Sequence, residues 1–185
     1  MEWICIDFLN SDWRDWRGSG RREDRLQRQD WVEWFLTKWG FSIRERLDDE
    51  TLRKLQTLRE HMRSIIEAIV QAQSPQASDL KGVNEVLAES PICHQLVYQN
   101  GELLMRPVRK TEGWAMVTAE IAQSFVELMT QDAKKVKICA NQDCCWVFVD
   151  TSRNQSKSWC ETKTCGNLMK VRRFRERQKE SSKET

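Results

Sequence analysis

The chain of 185 residues carries 30 Lys and Arg against 28 Asp and Glu, with seven Cys, nine Trp and three Pro. That length suits one domain, or one with a small appendage, and folding it would bury about 70% of the unfolded surface. At 39% hydrophobic and 31% charged residues the chain reads as globular, with no run of the ~18 apolar residues that span a bilayer and no N-terminal signal-peptide pattern. An odd cysteine count without a secretion signal points to a reducing, cytoplasmic setting, in which clustered Cys bind metal more often than they pair.

In chain order, residues 3–9 form a short apolar run bounded by Asn10, Ser11 and Asp12, and predict a strand. Asp7 and Asn10 beside it read as structural polar groups, with a ligand pocket as the alternative. Residues 11–20, holding Trp13, Trp16, Gly18 and Gly20, predict a loop. A helix over 22–39 would place Trp31, Trp34, Phe35 and Trp39 on one core-facing side, with Gly40 as its stop. The longest helix is predicted over 49–73. Leu52, Leu55, Leu58, Met62, Ile65 and Ile69 recur at three-four spacing there, Asp48 or Asp49 serves as cap, and Pro75 follows. A shorter helix is expected over 79–89. Asn100-Gly101 between two apolar runs is a strong hairpin signal, because both residues tolerate positive φ. A last long helix over 112–131 aligns Trp114, Val117, Ile121, Phe125 and Leu128.

The near-neutral total conceals two unlike parts. Residues 1–134 hold 18 Lys and Arg against 22 Asp and Glu, whereas residues 135–185 hold 12 against 6. Five of the seven Cys also fall in that basic second part. Cys139 and Cys144, then Cys160 and Cys165, form two C-x4-C pairs separated by fifteen residues. Zinc takes four soft ligands in a tetrahedron, and two close Cys pairs at the ends of a small hairpin supply them. Residues 146–149 are β-prone and 157–160 would return as the partner strand, with a helix starting near Asn167. A segment so poor in aliphatic residues needs a staple such as Zn²⁺; a redox pair or plain structural thiols are the alternatives. Cys145 competes with Cys144 for the ligand position, while His61 and His94 are not needed. Four thiolates close the coordination shell, which argues for a structural site and against an enzyme.

These residues resemble a known family. Cys139, Cys144, Trp146-Val147-Phe148-Val149-Asp150, Ser152-Arg153, Trp159-Cys160 and Cys165-Gly166-Asn167 look like the CGNR zinc finger, found at the C-terminus of bacterial stress-induced transcription regulators. Their N-terminal portion, ABATE, opens with a motif similar to Ile6-Asp7-Phe8-Leu9-Asn10-Ser11. The Asp30-Trp31, Trp34-Phe35-Leu36 and Gly40 stretch and the Leu58-Arg59, Arg63 helix also resemble it. The resemblance implies a cytoplasmic, zinc-dependent DNA-binding regulator with Cys139, Cys144, Cys160 and Cys165 as ligands. Two positions depart from the pattern: Leu168 stands where the name motif has Arg, and Lys157 and Ser158 stand where basic residues usually precede Trp-Cys.

The expected architecture is α+β. A predominantly helical N-terminal domain, residues 1–134, carries an N-terminal strand and a hairpin, and a C-terminal zinc-binding β-hairpin–helix module occupies 135–185. In the terminal helix, Leu168, Val171 and Phe174 share one side and would pack on the finger. Arg153, Lys157, Lys163, Lys170, Arg172, Arg173, Arg175 and Arg177 are the candidate nucleic-acid contacts, since phosphates attract such arrays by releasing counterions. A frayed end is expected over 180–185. The N-terminal domain would sense a signal or form a homodimer through its helices, and a protein- or RNA-interaction module is the competing reading.

Overall fold

The structure, a computed structural model, describes residues 2–43 and 45–181. The frayed end expected over 180–185 lies, from residue 182 on, outside the described residues. Among them, no helix is long and apolar enough to cross a membrane.

The chain begins with helix α1, Ile4–Leu9, where a strand was expected. Its buried residues are Ile4, Cys5, Phe8 and Leu9, a spacing of one, three and one that only a helical turn can bring to one side. A short apolar run without alternation does not distinguish the two states, and packing against α5 and α3 decides for the helix here. Residues 11–20, expected as loop, contribute strand β1, Asp12–Arg14, which pairs antiparallel with β2, Arg22–Asp24. The helix expected over 22–39 is therefore shorter: α2 spans Gln29–Lys38. Asp24 accepts a hydrogen bond from the Leu26 amide at 3.1 Å and closes a tight turn, and Arg28 is extended. Of the tryptophan side of α2, Phe35 is buried and Trp31 and Trp39 are half-buried, but Trp34 is exposed. Lys38 lies 5.3 Å above both the Trp34 and Trp39 rings.

Helix α3, Asp49–Val70, is the centre of the molecule. Asp48 caps it, accepting from the Thr51 amide at 2.7 Å. Leu55, Leu58, Met62 and Ile66 are each at most 1% exposed, and burial of side chains of that size stabilises by about 1.5–3 kcal/mol apiece. The helix stops before residue 73 because Ala72 turns left-handed, at φ 56°. The Gln73 amide then donates to the Ala68 carbonyl and the Ala72 amide to the Ile69 carbonyl, closing the last turn. Helix α4, Ala77–Glu89, lies against α3. Asp79 joins the two, bonded to His61 Nδ1 at 2.9 Å and Ser64 Oγ at 2.6 Å. Gly82 sits so close to the His61 ring that a Cβ there would lie 2.3 Å from Cδ2.

Strands β3, Ile92–Gln99, and β4, Glu102–Arg109, form the expected hairpin, turning at Asn100 (φ 51°) and Gly101 (φ 87°). Helix α5, Gly113–Gln131, buries Trp114, Val117, Ile121, Phe125 and Leu128 against α1, α3 and α4.

Strand β5, Val136–Ile138, then pairs with β6, Val147–Val149. This corrects the expectation that 146–149 would pair with 157–160: the finger's hairpin is closed by the segment before the first cysteine. Residues 157–160 instead lie beyond β5, where the Ala140 amide donates to the Ser158 carbonyl at 2.9 Å. Helix α6, Asn167–Ser181, follows a single wide turn over Thr162–Gly166. Val136 and Val147 belong to the same hydrophobic cluster as α1 to α5, whereas Cys139, Cys144, Phe148 and Cys165 form a second, small one with Trp16, Trp146 and Trp159.

Candidate metal centre and basic helix

The turn between β5 and β6 carries the first cysteine pair. The Cys139 amide donates to the Trp146 carbonyl at 2.8 Å, extending the ladder, and the Cys144 and Cys145 amides both donate to the Asn141 carbonyl. Cys145 is left-handed, at φ 55°, which lets the chain reverse within the turn. Cys160 stands just before the wide turn that leads into α6, and Cys165 lies within it.

The ligand atoms of Cys139, Cys144, Cys160 and Cys165 all lie within 4.8 Å of one another. Sγ of Cys144 is 3.6 Å from that of Cys160, which is 3.8 Å from that of Cys165. A tetrahedron with Zn–S bonds of about 2.3 Å has S···S edges of about 3.8 Å, so the four thiols already converge on the arrangement a zinc ion needs. Cys145 is not in the cluster; its Sγ donates to the Gln142 carbonyl at 3.1 Å. Without the cation the thiols cannot all ionise together. Hydrogen bonds from Cys144 and Cys160 pull the Cys139 thiol far below its ordinary range, and the hydrogen bonds that Cys144 makes to Cys139 and Cys160, with its burial, push its own thiol upward. Zinc is the cofactor that this donor set and this geometry hold.

Polar side chains around the site fix it in place. Asn141, fully buried, donates through Nδ2 to the Trp16 carbonyl at 2.8 Å and to Cys165 Sγ at 3.4 Å. Asp150, also fully buried, accepts from Lys137 Nζ at 2.6 Å, from the Ser152 amide and hydroxyl, and from the Lys157 amide at 2.8 Å. Lys137 and Ser152 thereby hold the Asp150 carboxyl below the usual range. Asn10, at the end of α1, bonds both backbone groups of Val147. Arg63 of α3 donates to the Cys145 carbonyl at 2.6 Å. Asp7 takes Lys38 at 2.7 Å and the Trp39 indole at 3.1 Å, so both Asp7 and Asn10 are structural.

The candidate basic residues occupy unlike positions. Arg172 is half-buried, with its guanidinium on Asp143 Oδ2 at 2.7 Å and on the Arg17 carbonyl at 3.0 Å; it fastens α6 to the metal-binding turn. Gly18 makes that approach tolerable, since a Cβ there would lie 2.8 Å from Arg172 Nη2. Arg173 stacks 5.6 Å over Trp159, and Lys157, half-buried, lies 5.4 Å over Phe148. Arg153, Lys163, Lys170, Arg175 and Arg177 are exposed, with Arg177 Nε donating to the Arg173 carbonyl at 3.4 Å. The apolar side of α6 does not pack as expected: Leu168 is half-buried, but Val171 and Phe174 are 45% and 57% exposed.

Cysteine spacing alone marks none of these scaffold residues; the family resemblance includes Asn10, Arg63 and Asp150 in its motifs without giving them a role at the site, and Asn141, inside the cysteine segment, lies outside those motifs.

No curated protein matches the chain. Residues 135–178 match the CGNR zinc finger. Residues 2–132 match ABATE, described as "Putative stress-induced transcription regulator". That match spans well over half of the sequence, and its C-terminal neighbour covers the four converging cysteines, so the chain belongs to the ABATE family and carries a CGNR zinc finger.

Proposed function

We propose that the protein is a cytoplasmic, non-enzymatic regulator that binds DNA through α6 and the adjoining finger surface. The observation that carries this reading is the presentation of α6. Arg172 pins the helix to the metal-binding turn, while Lys170, Arg173, Arg175 and Arg177 stand exposed around it. Arg153 and Lys163 extend the positive surface onto the finger. An exposed basic helix suits phosphate neutralisation or entry into a major groove. The closed thiolate shell supports a structural metal, and the family description supports the regulatory role. Signals received in the helical domain reach the finger through the Asn10 and Arg63 contacts.

The test is fluorescence anisotropy of duplex DNA with the zinc-loaded full chain across a salt series. About four phosphate contacts give a slope of log K against log[salt] of about −3.6. Chelation should abolish binding, and Arg175→Ala should weaken it uniformly over sequences if the residue meets phosphate. No retention of duplex at ~50 mM salt defeats the proposal.

The exposed Val171 and Phe174 favour a second reading, in which the same helix docks on an acidic protein surface. Phe174→Ala separates the two: it leaves phosphate binding intact and removes the apolar anchor a protein partner would use.

A further inference from the structure

Strands β3 and β4 pair over eight residues each and, among the described residues, join no larger sheet. A two-stranded hairpin by itself is marginal in water. Here residues 95, 96, 98, 99 and 102–106 are all exposed. The register places Leu96 opposite Met105 and Tyr98 opposite Leu103, with His94 opposite Pro107 and Ile92 opposite Arg109 nearer the base. Directly opposed residues share a face. On this one, Leu96, Tyr98, Leu103 and Met105 are 66–73% exposed and Ile92 is 41% exposed.

At about 200 Å² for a large residue, those five leave roughly 640 Å² exposed on one face, backbone atoms and the Tyr98 hydroxyl included. That lies at the upper end of the largest patch of a typical monomer, about 300–600 Å², and approaches the ~800 Å² that each partner contributes to a standard interface. The face also lacks charge. Its one ionised residue, Arg109, has a side chain only 4% exposed and is turned inward onto Glu120 and the Ser90 carbonyl. An uncharged patch offers nothing to nucleic acid or to an acidic or basic protein surface, but two copies of it meet without like-charge repulsion. Pro107 breaks the run of amide donors along β4, which disfavours growth of the sheet from that edge and leaves face-to-face stacking as the way to cover these side chains. On the helices, by contrast, Trp34 on α2 and Leu80 on α4 stand singly, and the other large exposed apolar residues fall in pairs, Ile69 with Val70 on α3 and Val171 with Phe174 on α6.

We propose that the Leu96–Tyr98–Leu103–Met105 face packs against the same face of a second copy, giving a twofold homodimer of stacked hairpins. The inference stands independently of DNA binding. It places self-association on the hairpin, not on the N-terminal helices.

The test uses the zinc-loaded full chain at micromolar concentration. Sedimentation equilibrium should give twice the 21.9 kDa chain mass. Leu96→Asp with Met105→Asp should return the mass to a single chain, with zinc per chain and helical circular dichroism unchanged. Leu80→Asp on α4 should leave the dimer intact. If the double variant loses zinc or helicity, the single exposed change Leu103→Lys is read instead, with at least a tenfold rise in dissociation constant expected. Added salt should not dissociate the dimer. A single-chain mass for the unaltered protein, persistence of the dimer in the charged variants, or dissociation by salt overturns the proposal.

Discussion

Asn10 clamps Val147 from 137 positions away: its Nδ2 donates to the Val147 carbonyl and its Oδ1 accepts from the Val147 amide, both at 2.9 Å. Val147 is 1% exposed and immediately follows the metal-binding turn. One side chain thus satisfies a pair of backbone groups that no strand reaches, because β6 is paired on its other edge by β5. The clamp makes α1 an edge partner of the zinc module.

Asn10→Ala leaves both Val147 groups without their partners, at a cost of about 1–3 kcal/mol for each one that water does not reach. Equilibrium urea unfolding should show a midpoint lowered accordingly. A midpoint within error of the unaltered protein would show that the clamp contributes nothing.

Zinc removal should be felt beyond the finger. Chelation leaves four crowded thiols with no shared cation, and the turn that Arg63 and Asn10 hold loses its anchor. Hydrogen exchange is expected to rise over 136–166 and also in α1, with α5 remaining the most protected helix. Cys165→Ser should reduce bound zinc, whereas Cys145→Ser, whose thiol faces Gln142 and not the cluster, should keep one zinc per chain. Unchanged protection of α1 after chelation would separate the two parts.

The zinc ligands were legible because a metal site is written in residue type and local spacing, and the four cysteines need no distant partner to be recognised. Helices α3 and α5 and the Asn100-Gly101 hairpin were legible for a similar reason: their periodicity and turn chemistry are local. The short apolar run over 3–9 was not, since Ile4, Cys5, Phe8 and Leu9 become a helical face only against α5 and α3. The finger's strand pairing was hidden because Val136 to Ile138 is only three residues between the long helix and the first cysteine, too short a run to show alternation. Asn10, Arg63 and Asn141 act through partners 82 to 137 positions away, and no pattern within a window can reveal such a bond.

Asp24 sets a pH dependence. Partial burial opposes ionisation of its carboxyl, but bonds from Arg59 at 2.7 and 2.8 Å and from Gln56 at 2.7 Å prevail and hold it below the usual range. A carboxyl depressed in the folded state stabilises fully above its unfolded value, about 3.9, and loses that contribution as pH falls through the folded one. Asp24→Asn should therefore be less stable than the unaltered protein at neutral pH. The gap should narrow as pH is lowered below the unfolded value, and a gap that stays constant in acid would mean that ionisation of Asp24 is irrelevant.

Arg172 is the hinge between metal site and basic helix. Its pair with Asp143 is about one-third exposed at each side chain, so its loss costs only about 1 kcal/mol of stability. The larger effect of Arg172→Ala should be on orientation. Zinc content should stay at one per chain, amide exchange in α6 should rise, and duplex affinity should fall more than for Lys170→Ala. Equal losses in the two variants would make Arg172 an ordinary phosphate contact.

Ala72 ends α3 in a conformation that suits glycine. Its φ of 56° places the Cβ against its own backbone, and the closing bonds from Ala72 to Ile69 and from Gln73 to Ala68 depend on that φ. An L-residue there costs roughly 1–2 kcal/mol, whereas glycine adopts the same angles without strain and loses about 0.5–1 kcal/mol through the greater freedom of its unfolded chain. The balance favours glycine, so Ala72→Gly should raise stability by about 0.5–1 kcal/mol. Urea unfolding should show a higher midpoint at an unchanged slope, because the surface exposed on unfolding is the same. A lower midpoint would mean that the end of α3 is held by its packing on β5 and not by the closing turn, and that the left-handed residue is a consequence of that packing.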